Sequence, residues 1–161
     1  MARRLTIFLI SALLFFMTAP AYAEEAPEKY SVIKGFDFTA YNTRLVDGLL
    51  SFEQSDAAPA RCRAAFFMRN VTKVPLSFED ARYYMMKKDG VVYALEFEKV
   101  YNNTGIKNSK ILNPFQNISI RCQSPVFPDG ETKEVYVQLK DGRKIVFLPT
   151  EEVEKMYSPE Q

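Results

Sequence analysis

The chain of 161 residues contains no histidine. That excludes Ser-His-Asp and Cys-His catalysis and the usual histidine-bearing zinc sites. It contains no tryptophan and only two cysteines, Cys62 and Cys122, so it has no C-x-x-C redox pair. Its six glycines are scattered singly at turn signals, which leaves no glycine-rich loop to cradle a phosphate. Neither sign of charge dominates: 21 Lys+Arg stand against 20 Asp+Glu. That balance is no footprint for nucleic acid or an anionic membrane. Beyond the N-terminus there is no long apolar run, no internal repeat and no sustained helical period.

What is present begins with an address. Met1-Ala-Arg-Arg4 is basic, Leu5 to Phe16 is apolar except for Thr6 and Ser11, and Pro20-Ala-Tyr-Ala23 ends in an A-x-A pattern. This predicts a secretory signal peptide over 1–23, cut after Ala23; the apolar run is too short for a transmembrane anchor. Removing its two arginines turns the net charge from +1 into −1. The expected product is a polar leader over 24–29 and one domain over 30–161. It is periplasmic or secreted and has no membrane span after cleavage.

The domain is organised around Arg61–Asn70. Cys62, Ala64, Phe66 and Met68 share one parity; Arg61, Arg63, Phe67 and Arg69 take the other. Alternate strand side chains point to opposite faces, so the first set faces a core while the arginines stay wet. Ile118, Ile120 and Cys122 repeat the inward pattern. Two cysteines in an exported chain predict a Cys62–Cys122 disulfide. Closing a loop of some 60 positions stabilises by roughly 4 kcal/mol in the chain-entropy model.

Other strands are expected over Tyr30–Phe38, with a bulge at Gly35, and on both sides of an Asp47-Gly48 hairpin turn. Three-residue loops at Lys88-Asp-Gly90 and Lys140-Asp-Gly142 set two more registers. The first pairs Met86 with Val92 and Tyr83 with Leu95. The second puts Val135, Val137 and Leu139 opposite Ile145 and Phe147. Thr150 is the expected N-cap of a short helix, Glu151–Tyr157, with Val153 and Met156 or Tyr157 on one side. Short strands with regular turns predict an all-β antiparallel sandwich with a short C-terminal helix.

Four motifs strengthen that expectation: Asn70-Val-Thr-Lys-Val-Pro75, Lys88-Asp-Gly-Val-Val-Tyr93, Leu112-Asn-Pro114 and Lys140-Asp-Gly-Arg-Lys144. With them, residues 60–148 resemble the immunoglobulin-like, telokin-like β-sandwich domains of bacterial secreted proteins. Phe115 stands where that type has glycine, and the tryptophan that packs on the bridge in antibody domains is missing. The resemblance implies a binding or structural module and carries over no site residues.

No catalytic constellation emerges, and a non-enzymatic role without metal or cofactor is expected. Glu96 and Glu98 share a face, with Glu79 and Asp80 upstream, as on any solvated amphipathic strand. Met68, Met85 and Met86 read as core. Asn70, Asn102 and Asn117 begin glycosylation sequons. The expected function is to bind a protein partner in the cell envelope. A sandwich edge could accept its strand, and Tyr83, Tyr84, Tyr93 and Tyr101 with the loop residues Asn102, Asn103 and Lys107 could contact it. The alternative is a small ligand or glycan held by the same aromatic patch.

Overall fold

The computed structural model describes residues 27–41, 44–102 and 109–158. The expected signal peptide, Asn103 and Lys107 lie outside the described residues. Strands β1 (Tyr30–Val32), β2 (Phe38–Tyr41), β3 (Val46–Ser55) and β4 (Cys62–Asn70) come first. They are followed by β5 (Leu76–Ser77), β6 (Arg82–Lys87), β7 (Val92–Asn102) and β8 (Ile111–Leu112). β9 (Asn117–Ser124), β10 (Thr132–Gln138), β11 (Lys144–Pro149) and helix α1 (Thr150–Tyr157) complete the order.

The fold is not the expected immunoglobulin-like sandwich. β3 pairs with β2 on one side and with β4 on the other, from Val46↔Asn70 to Gln54↔Cys62. β2 in turn pairs with β11. The ladder therefore returns on itself as an eight-stranded antiparallel barrel, in the order β2-β3-β4-β9-β7-β6-β10-β11. Closure leaves no free edge on those strands. β1 is appended outside the ring, pairing with the last residues of β3.

An eight-stranded barrel is just wide enough for side chains to fill or for one small ligand. Here phenylalanines fill it. Phe66 lies 5.5 Å from the rings of both Tyr83 and Phe147, and Phe52, Met85, Ile120 and Ile145 are buried around it. β5 and β8 form a separate two-stranded ribbon that, with Phe78, buries Leu76 and Leu112 at one end of the barrel. At the other end α1 buries Val153.

The two three-residue hairpins hold as read. Met86 pairs with Val92, Tyr83 with Leu95, Val137 with Ile145 and Val135 with Phe147. Gly90 and Gly142 take φ of 88° and 89°, the left-handed position such loops require. Asp47-Gly48 is no turn; it lies inside β3. A Cβ on Gly48 would sit 3.0 Å from the Phe67 carbonyl and 3.1 Å from the Phe147 ring. Glycine is there because the barrel wall is tight, not because the chain reverses. Gly35 (φ 87°) interrupts the expected first strand rather than bulging it, and so separates β1 from β2. Thr150 is the first helical residue rather than the cap; its hydroxyl pairs with that of Thr39 at 2.9 Å.

Candidate functional site

The four candidate tyrosines do not share a face. Tyr83 is buried in the barrel, and burial raises its phenol's pKa above the ordinary value. Tyr93 shares Tyr83's parity, since Met85 pairs with it and Tyr83 pairs with Leu95. Tyr84 points outward and stacks on Tyr136 at 5.1 Å, while the Lys144 ammonium covers Tyr136 at 3.8 Å. Tyr101 stands apart on the outer face of β7, and Asn102 beside it donates to the Ile111 carbonyl at 2.6 Å.

Tyr101 instead joins residues that strand alternation hides among charged neighbours. The registers Thr39↔Leu49, Leu49↔Phe67, Phe67↔Ser119 and Ser119↔Tyr101 make one straight row across five strands of the outer wall. Leu49, Phe67 and Tyr101 are 59%, 45% and 55% exposed. They line a groove of about 710 Å³. On one side runs the polar row Asp47, Arg69, Asn117; on the other stand Ala65, Arg121 and Lys99. The Arg121 guanidinium lies 4.7 Å over the Phe67 ring and the Lys99 ammonium 5.7 Å over Tyr101. Leu49 and Phe67 are adjacent and Ser119 stands between Phe67 and Tyr101; large apolar side chains gathered on an outer wall mark a contact surface. One signal was available: Phe67 is apolar at the parity of Arg61, Arg63 and Arg69.

Above the groove the expected wet arginine is buried. Arg63 is 8% exposed. Its Nε donates to Glu53 at 2.6 Å, and an Nη donates to Glu98 at 3.3 Å. The Tyr30 ring from β1 stacks on its guanidinium at 3.5 Å. Arg121 adds a second cation 3.5 Å from Glu53, and its Nη also donates to Ser119. Glu98 reaches this cluster because the register shifts between Phe97 and Lys99. It is held by Arg63 and by Gln123 at 2.6 Å. Glu96 stays exposed, so the two carboxylates do not act as a pair. Glu28, in the expected leader, is tied to Ser55 and Arg61.

The cysteines are not bridged. Ala64 pairs with Cys122 and Cys62 with Ser124, so the two thiols are diagonal neighbours on the inner face. Diagonal positions lie roughly 7–8 Å apart, beyond the usual Cα separation of a disulfide. Burial raises the Cys62 pKa from 9.0 to about 11 and raises that of Cys122 as well. These groups, with Tyr83, lose their protons more readily in the unfolded chain. Their stabilising effect is therefore full below pH 9 and is lost as pH rises toward 11. Urea midpoints are expected to hold from neutrality to about pH 9 and then fall, Cys62 alone accounting for on the order of 2–3 kcal/mol. A midpoint unchanged at pH 10.5 would refute the buried assignment.

The chain matches no known protein family, characterised protein or solved structure.

Proposed function

We propose that this is a non-enzymatic exported module that binds a protein partner in the cell envelope through the groove of Leu49, Phe67 and Tyr101. One observation carries the reading: three large exposed apolar side chains aligned in a single cross-strand row. Export rests on the signal-peptide pattern of residues 1–23. Because the barrel ring has no open edge, recognition by side chains is favoured over strand addition. A glycan platform draws less support, since the Tyr136 ring already stacks against Tyr84 and carries the Lys144 ammonium.

A photo-crosslinking residue at position 67 is expected to trap a discrete protein in the intact envelope. The same residue at position 136, on the opposite wall, is expected to trap none. Leu49→Ser with Tyr101→Ser should abolish the adduct while shifting stability by no more than about 0.5 kcal/mol, as for exposed sites generally. An adduct that survives the double substitution, or forms equally from position 136, would remove the groove from the reading.

A further inference from the structure

A second apolar surface lies at the end of the barrel closed by β5 and β8, and it asks for a different kind of partner. Asn70 is wholly buried there. Its Nδ2 donates to the carbonyls of Val74 at 2.8 Å and Leu112 at 2.9 Å. Its backbone accepts from Phe115 N at 2.9 Å and donates to Gln116 O at 3.0 Å. One residue thus pins the turns over 71–75 and 113–116 into a single tip. Val74 and Phe115 are each 57% exposed on it, with Val71 also exposed beside them. Phe115 holds φ at 61°, a conformation easy for glycine and strained for a bulky residue. Strain of this kind persists where the surrounding structure imposes it, often at functional positions.

Cations outnumber carboxylates on the turns of the tip. Arg44, Arg69 and Lys73 flank it, and none of the three forms an ion pair among the described residues; the Lys110 ammonium is held instead over the Phe97 ring at 4.3 Å. Val71 N donates to the Leu45 carbonyl, next to Arg44. Asp47, opposite Arg69 on β3, is the neighbouring carboxylate.

We infer that this tip seats on an anionic lipid surface. Val71, Val74 and Phe115 enter the boundary between headgroups and acyl chains, and Arg44, Arg69 and Lys73 meet the headgroups. The apolar residues sit on short convex turns rather than in a shaped concavity, which suits a fluid interface better than a protein partner. No described helix is long and apolar enough to cross a membrane. This inference shares Arg69 with the edge of the groove and uses none of the groove's apolar residues.

The test is cosedimentation of the chain, as its host processes it, with vesicles of phosphatidylcholine alone or with about a quarter phosphatidylglycerol. Binding is expected to the anionic vesicles only and to weaken with salt. Lys73→Gln should weaken it about fivefold, and Phe115→Gly roughly tenfold. Phe115→Gly relieves the left-handed strain, so it should fold at least as well as the parent, and lost binding then reports the ring itself. Three results would overturn the inference: no binding to either vesicle, binding indifferent to Phe115→Gly, or Phe115-dependent capture of a protein while vesicles are ignored.

Discussion

Arg63→Met is expected to lower unfolding stability by about 3–5 kcal/mol, although the residue lies on the outer wall of the barrel. Removing one partner of a buried ion pair leaves the other charge uncompensated, and that is the larger part of the loss. Glu53, itself buried, would keep only Arg121 at 3.5 Å. Glu98 and the Tyr30 ring would also lose their contacts with the guanidinium. The methionine preserves much of the packed stem, so the effect reports charge rather than a void. Adding Glu53→Gln should restore more than half of the loss, because a pair removed together leaves less unbalanced charge. Denaturant midpoints of the two single variants and the double variant give the coupling directly. Hydrogen exchange of the β1 amides offers a second readout. Tyr30 stacks on Arg63, so β1 should open locally in Arg63→Met before the barrel does. A loss under about 1 kcal/mol would identify the cluster as a solvated surface pair instead.

The arginine also shows what strand alternation can and cannot reveal. The alternation in β4 correctly separates Cys62, Ala64, Phe66 and Met68 from Arg61, Arg63 and Arg69. It says nothing about what covers the outer face. Arg63 is buried because Glu53 arrives from β3, Glu98 from β7 and Tyr30 from β1, across separations set by pairing alone. The same limit explains the fold. Hairpins at Gly90 and Gly142 are local, so their registers were legible to the residue. A barrel and a sandwich share that alternation and those turns. They differ in whether β2 meets β11 across a hundred residues, which no local pattern encodes. Asp47-Gly48 failed for a related reason: the dipeptide that signals a turn serves here as a clearance beneath Phe147. At the candidate site, Tyr101 was legible as an aromatic beside a polar loop. Phe67 was legible only as an apolar residue at the parity of the arginines, and Leu49 was not, because their alignment with Tyr101 exists only once three registers are known. The paired cysteine expectation failed at a finer scale, since a shift of two positions between adjacent strands separates a bridge from two thiols.

The second large effect is expected at Asn70, whose sequon would suggest an exposed, modifiable side chain. Asn70→Ala should cost about 3–4 kcal/mol, from several hydrogen bonds lost together. The side chain satisfies the Val74 and Leu112 carbonyls and accepts from both the amide and the hydroxyl of Thr72, at 2.8 Å and 2.7 Å. Alanine leaves buried groups without partners, each worth about 1–3 kcal/mol. Two companion variants separate donor from acceptor. Thr72→Val removes one hydroxyl donor and should cost only about 1 kcal/mol. Asn70→Asp keeps the acceptor toward Thr72 but turns a carboxylate against two carbonyl oxygens. It should be at least as damaging as alanine at neutral pH and recover as the carboxyl protonates in acid. The loss should also be local before it is global. β5 and β8 are joined to the barrel through Asn70, so their amides should exchange early in Asn70→Ala while those of β4 and β9 stay protected. If all strands lose protection together, the ribbon is part of the barrel's cooperative unit and Asn70 acts on the whole core rather than on the cap.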